Sequence, residues 1–156
     1  MISVVIATHD DGRTLGQTLA ALVPAAVDGL VREVILADAG STDETLAIAD
    51  DAGARVVRSE GAVEARLLEA CKTARAEWLL ILEASVPAPH GWEGAAGRHV
   101  ERHAGKPAYW GRSGLAPFVT PAKALLVPKA LFDKESGSPG WLRRLGAKAV
   151  GLKIKR

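Results

Sequence analysis

The residues able to do chemistry gather in three short stretches: Thr8-His9-Asp10-Asp11, Asp38-Ala39-Gly40-Ser41-Thr42-Asp43 and Glu83-Ala84-Ser85. Asp38 directly follows an apolar run and can accept hydrogen bonds from the hydroxyls or N–H groups of a ribose or base, while Gly40 lets the backbone turn closely. Asp38, Ser41 and Asp43 are equally the residues that form turns and helix caps, so a structural role stands beside the binding one. Glu83 is an acid at the end of a buried run, where a carboxylate can face a hard cation. Ser85, two positions on, offers a neutral hydroxyl where a second carboxylate would complete a metal pair.

Weaker signals lie elsewhere. His99 and His103 have i,i+4 spacing, but HVERH is not the zinc-peptidase order, in which Glu directly follows the first His; a solvated helix face is the plainer reading. Cys71 falls on an apolar helical stripe and reads as core. SEGAVEAR lacks the glycines and lysine of a phosphate-binding loop. Trp78 and Trp92 read as packing residues, whereas Trp110 and Trp141 are candidates to stack on a sugar or a partner.

Elements of regular spacing must position these stretches. ISVVIA (2–7) is a continuous β-branched run, the pattern of a strand buried on both faces, and EVILA, ARVVRS and EWLLIL repeat that signature. Between them, Leu15, Leu19 and Leu22 form a helical stripe, with Thr14 and Gln17 at capping-box spacing and Pro24 ending or kinking the helix. Ser41 and Glu44 make a second capping box, and Gly53 takes a C-cap position. Val63, Leu67, Ala70, Cys71 and Ala74 trace another amphipathic helix. Strand and helix alternate four times in about 80 residues, which predicts right-handed βαβ units, a mainly parallel sheet and helices on both faces. Ligands in such folds bind outside the carboxyl ends of the strands, where the three polar stretches fall. Beyond Trp92 the pattern predicts a helix at 93–103, a strand at 124–127, a short helix at 129–134 and an edge strand over 150–154.

The composition is that of a globular protein, 48% hydrophobic and 24% charged. Its 156 residues form one expected domain, 1–156, with no internal repeat. No apolar run approaches the ~20 residues that span a bilayer, Met1 leads into ISVVIA without a basic signal region, and the lone Cys71 fits a reducing compartment. These features point to the cytoplasm. The net charge of +2 is uneven. From Trp141 onward there are six basic residues (Arg143, Arg144, Lys148, Lys153, Lys155 and Arg156) and no acid; the remainder carries 14 basic and 18 acidic residues. A solvated basic end is the simple reading. An anionic membrane surface or a phosphorylated substrate is the functional one, with peripheral attachment at the inner membrane face and nucleic acid less favoured.

ISVVIATHDD followed by EVILADAGSTDETLAIADDAGARVV resembles the N-terminal half of family 2 glycosyltransferases of the GT-A fold, in particular a small bacterial type. That family's first strand ends in Pro-Thr-Tyr-Asn; Thr8 and Asp10 fall on its Thr and Asn. Asp38, Gly40, Ser41, Thr42 and Asp43 match its Asp-Asp-Gly-Ser-Thr-Asp motif. The resemblance covers roughly residues 1–92 and returns faintly at ALLVPKALFDK. It implies a three-layer αβα sandwich whose first 92 residues bind a nucleotide-sugar donor and whose residues 93–156 form a shortened acceptor side.

By the same resemblance Thr8, Asp10, Asp38, Gly40, Ser41, Arg66 and Glu83 line the donor site. Glu83 and Ser85 take the places of an Asp-x-Asp motif that holds Mg²⁺ or Mn²⁺, with Ser85 leaving a weakened metal site. Arg66, Arg112 or Lys123 would then offset charge on the leaving group. Three departures accompany this. Leu68 and Ala70 stand where Asn and Gly are common. The acids after Glu101 are Asp133 and Glu135, which leaves the catalytic base unassigned. The chain also ends about where relatives continue into an acceptor-binding segment. The implied activity is sugar transfer to a polysaccharide or lipid-linked acceptor. The alternative is a non-catalytic nucleotide-sugar-binding or interaction module derived from such an enzyme.

Overall fold

The computed structural model describes residues 1–86, 88–103, 105–110, 124–152 and 154. Seven strands form one sheet: β1 (Ile2–Thr8), β2 (Val31–Asp38), β3 (Arg55–Arg58), β4 (Trp78–Glu83), β5 (Ala108–Trp110), β6 (Ala124–Pro128) and β7 (Val150–Gly151). Their order is β3-β2-β1-β4-β6-β5-β7. Neighbours run parallel except where β6 meets β4 and β5.

Side chains that alternate along each strand divide the core into two layers. Ile2, Val4 and Ile6 of β1 and Leu80 and Leu82 of β4 face one side, against Leu15, Leu19, Ala49 and Trp92. Those partners come from α1 (Gly12–Ala20), α3 (Thr45–Asp51) and α5 (Trp92–Arg102). Val5, Leu79 and Ile81 face the other side, against Leu67, Cys71, Phe132, Trp141 and Leu145. These belong to α4 (Val63–Lys72), α6 (Lys129–Glu135) and α7 (Trp141–Lys148). Helices on both faces of a mostly parallel sheet make the three-layer αβα sandwich that the alternation predicts. Cys71 sits in the second layer, where burial pushes its thiol up to about 12 and removes it as a nucleophile.

Local detail corrects some expectations and bears out others. Helix α1 starts at Gly12, two residues before the Thr14 capping box, with Asp11 at the N-cap. It ends at Ala20, before Pro24, as one of the two expectations for that proline had it, and Pro24 lies in the first turn of a separate short helix, α2 (Val23–Val27). Gly53 takes the left-handed position after α3 at φ 67°, with Gly53 N–H on Asp50 and Ala54 N–H on Ala49, the Schellman arrangement. The edge strand expected over 150–154 reduces to Val150–Gly151, paired with β5. Helix α7 and strand β5 escaped the sequence reading. The first is a single short amphipathic stretch, and the second is three residues long. No described helix is long and apolar enough to cross a membrane.

Candidate functional site

The parallel register sets three polar strand ends side by side. Thr8 pairs with Asp38, and Ala7 pairs with Glu83. Thus β2, β1 and β4 deliver Asp38, Thr8 and Glu83 to the same end of the sheet, where parallel folds keep their ligands.

Asp38 organises the centre of this end. It is wholly buried, and its Oδ1 accepts hydrogen bonds from the hydroxyls of Thr8 (3.0 Å) and Ser41 (2.5 Å). Its Oδ2 accepts the N–H groups of Gly40 (2.8 Å) and Ser41 (2.9 Å). Burial alone would raise its pKa. The Ser41 hydroxyl and N–H, then Gly40 and Thr8, outweigh that and hold it below the ordinary aspartate value. The Asp38 carboxylate therefore presents no surface to a ligand as the fold stands. Its structural role prevails: it bends the 38–41 loop so that Gly40, at φ 88°, remains exposed. Arg58, at the end of β3, approaches Oδ2 only to 3.9 Å and is mostly exposed.

Ser41 is correspondingly no helix cap. Its hydroxyl donates to Asp38 and accepts the N–H of Asp10 at 3.0 Å. Helix α3 begins later, and Asp43 Oδ1 accepts the N–H of Thr45 at 2.9 Å. A short range of contacts then ties the 8–12 loop to the 38–45 loop. Asp10 Oδ1 accepts the N–H groups of Thr42 (2.8 Å) and Asp43 (3.3 Å). Asp11 N–H donates to Thr45 Oγ1 (2.8 Å), and Gly12 N–H to Asp43 Oδ2 (2.9 Å). Asp10 holds a left-handed conformation at φ 52°, which Asp tolerates better than most residues. The acids of these motifs thus join two loops, and Asp10 and Thr42 remain exposed on the rim.

Arg66 reaches the same end from α4. Its side chain is buried, and Nη1 donates to the Thr8 carbonyl at 3.0 Å. Its Nε is buried without a hydrogen-bond partner, and no carboxylate among the described residues pairs with it. Thr8 therefore lies between two opposite charges, its hydroxyl on Asp38 and its carbonyl on Arg66.

Glu83 and Ser85 are both exposed, and Ala84 between them is buried. The turn closes with the Val86 N–H on the Glu83 carbonyl at 3.1 Å. A hard cation would meet one carboxylate and one neutral hydroxyl here. Among the described residues, no group of three or more His, Cys, Asp or Glu could hold a metal by itself. This donor set fits a divalent ion that takes its remaining oxygens from a ligand and water.

The other candidates do not join the site. Asp133 pairs with Lys129, and Glu135 pairs with Arg144 and Lys148. His99 is buried, with Nε2 hydrogen-bonded to the Lys106 carbonyl at 2.7 Å and its ring edge-on to Trp78. That overturns its reading as part of a solvated face. Trp141 packs against Phe132 in the core and Trp110 against Trp92, and both are buried, so neither offers a stacking surface. In the basic end, Arg144 donates to the Glu135, Ser138 and Pro139 carbonyls and locks the α6–α7 turn, while Arg143 is exposed. Arg112, Lys123, Lys153, Lys155 and Arg156 lie outside the described residues.

A residue that the sequence reading missed is Thr18. It is wholly buried, and its hydroxyl donates to the Ala84 carbonyl at 2.7 Å. A signal was present: Leu15, Thr18, Leu19 and Leu22 follow i, i+3, i+4, i+7 spacing, which places one hydroxyl within an apolar stripe.

A family model for Glycosyl transferase family 2 matches residues 3–94, an interval that includes all three strand ends. A glucosyl-3-phosphoglycerate synthase of Mycolicibacterium paratuberculosis is 48% identical over 62 residues, 40% of this chain and 18% of that protein. The chain thus aligns with less than a fifth of that curated relative. Among solved structures, glucosyl-3-phosphoglycerate synthase of Mycobacterium tuberculosis, in complex with Mn²⁺, UDP and phosphoglyceric acid, superposes with a TM-score of 0.76 at 20% identity. The match covers 97% of this chain and 67% of that one. S. aureus TarS (1–349) gives a TM-score of 0.79 at 17% identity, covering 99% of this chain and 58% of that one. At these identities the likeness to solved structures is one of fold.

Proposed function

The chain belongs to glycosyl transferase family 2 and has its GT-A fold, and on that premise we propose that it binds a UDP-sugar across the carboxyl ends of β1, β2 and β4. The sugar passes to a polysaccharide or lipid-linked acceptor. The observation that carries the reading is Arg66. A buried guanidinium with an unpartnered Nε and, among the described residues, no carboxylate pair is costly to leave alone, and an anionic group such as a diphosphate would offset it. UDP is favoured over other nucleotides because the M. tuberculosis synthase of the same fold is solved with Mn²⁺ and UDP.

In this reading the exposed parts of Asp10, Gly40 and Thr42 meet the nucleoside, and Asp38, Thr8 and Ser41 form the scaffold beneath them. Arg66 stabilises charge on the diphosphate side by a fixed, partly desolvated cation. Glu83 and Ser85 would hold Mg²⁺ or Mn²⁺, which supplies charge neutralisation of the departing diphosphate. Since Ser85 carries no charge, most of the ion's affinity comes from the nucleotide, and binding of metal and nucleotide is mutually dependent.

A second reading, a nucleotide-sugar-binding module without turnover, is supported by the ion pairs of Asp133 and Glu135. These are the acids that follow Glu101, and both already have cationic partners. A thermal-shift panel of UDP, GDP, CDP and TDP sugars, with Mn²⁺ or with chelator, tests both readings. We expect UDP-sugars with Mn²⁺ to raise the melting temperature, and Arg66→Ala to remove the shift. A flat panel would sink both. A shift without detectable donor hydrolysis or transfer would favour the second.

A further inference from the structure

We infer that Thr18 is a positioning residue for the diphosphate end of the donor site, and that α1 is the strut which fixes that end relative to the nucleoside end. This rests on the donor reading above. One helix touches all three polar strand ends. At its start, Asp11 and Gly12 N–H groups are held by Thr45 and Asp43 of the nucleoside-side loop. Two turns later, Thr18 donates to the Ala84 carbonyl at 2.7 Å. Just past its end, the Ala21 carbonyl accepts the Trp92 indole N–H at 3.1 Å, which anchors the segment returning from the Glu83 turn.

The contact at Ala84 sets the direction of its neighbours. Ala84 is 2% exposed, while Glu83 and Ser85 on either side are exposed. A buried carbonyl must have a donor, and among the described residues the wholly buried Thr18 hydroxyl supplies it. The hydrogen bond holds the Ala84–Ser85 peptide in one orientation. That orientation keeps Ala84 in the core and turns the Glu83 carboxylate and the Ser85 hydroxyl outward together. Because Ser85 is a weak donor to a cation, fixed direction matters more here than at a site with two carboxylates. Without the Thr18 bond the peptide can rotate toward water, and the outward direction of Glu83 and Ser85 is no longer fixed.

The test compares UDP and UMP binding by calorimetry in Mn²⁺ for the wild-type protein, Thr18→Val and Thr18→Ser. Valine keeps the shape and removes the donor, and serine keeps the donor. We expect Thr18→Val to weaken UDP by about tenfold, the loss of roughly one hydrogen bond's worth of alignment. UMP, which lacks the second phosphate, should change less than about twofold, since its contacts lie on the nucleoside side. Thr18→Ser should restore UDP binding. A general loss of stability would weaken UDP and UMP alike, and that outcome overturns the inference. So does unchanged UDP binding by Thr18→Val. If Thr18→Val does not fold, Thr18→Ala carries the same comparison. If the wild-type protein binds neither nucleotide, the donor reading itself fails and takes this inference with it; wild-type binding without the UDP–UMP difference defeats this inference alone.

Discussion

Asp38 shows how a motif residue can shape a loop through the hydrogen bonds it makes within the fold. Its two oxygens hold two hydroxyls and two N–H groups within a wholly buried side chain, with the Arg58 guanidinium 3.9 Å from Oδ2. Replacing it with Asn puts an amide donor among donors. We expect Asp38→Asn to cost about 2–4 kcal/mol in urea unfolding, and to weaken UDP indirectly by releasing the 38–41 loop. Ser85 makes the opposite case, since it is exposed and its substitution changes little but charge. Ser85→Asp supplies a second carboxylate beside Glu83. Mn²⁺ titration without nucleotide should then show about tenfold tighter binding, with stability changed by less than about 0.5 kcal/mol. Equal Mn²⁺ affinity in the two proteins would place the metal somewhere other than this turn.

The elements differ in how they are bounded, and this decides where substitution is harmless. Helix α3 ends in a Schellman turn at Gly53, whose φ of 67° suits glycine and whose surroundings are open. Gly53→Ala should therefore cost about 1 kcal/mol through backbone strain alone, and nucleotide binding should stay as in the wild type. Helix α1 behaves differently because its N-terminus, its buried face and its C-terminus each meet a different part of the site. Its first turn is held by acceptors from the 38–45 loop instead of by its own cap residue, whose side chain accepts the His9 N–H. The strand-to-helix loops are consequently one cross-linked unit, with α1 as its rigid member.

For the whole molecule, Asp38, Glu33, Asp43 and Glu135 are carboxylates held below their ordinary values, and Asp38 and Glu33 lie at opposite ends of the sheet. Asp38 is at the carboxyl end; Glu33, near the start of β2, accepts from the Ser3 hydroxyl, the Arg75 N–H and Arg55. Burial works to raise the Glu33 pKa, and those hydrogen bonds and the Arg55 charge outweigh it, holding it below the ordinary 4.5. A carboxylate whose folded pKa is lowered stabilises the protein above its unfolded pKa and loses that contribution as pH falls toward the folded value. Stability should therefore be level from about pH 6 upward and fall below about pH 4.5. Glu33→Gln should flatten part of that acid limb while leaving UDP binding intact, because Glu33 is remote from the site. An unchanged limb, followed by chemical unfolding between pH 3 and 6, would count against this account of Glu33.

What the sequence determined by itself was periodicity and local chemistry. The β-branched runs, each followed by polar residues and a helical stripe, were enough for a parallel αβα fold and for the three strand ends that gather at one edge. The motifs in ATHDD and ADAGSTD carried the family, and Ser85 in place of a second carboxylate set the expectation of a weakened metal pair. Tertiary structure decided what each polar residue does there, because a hydrogen bond between residues 8 and 38, or 18 and 84, leaves no trace in local spacing. It turned Asp38 and Ser41 inward as scaffold, left Arg66 as a buried cation with no carboxylate partner among the described residues, and gave Thr18 to the Glu83 turn. It also assembled β5 and α7, segments too short for a clear periodic signal, and cut the edge strand expected over 150–154 to Val150–Gly151, with their places set by the sheet edge and core they complete.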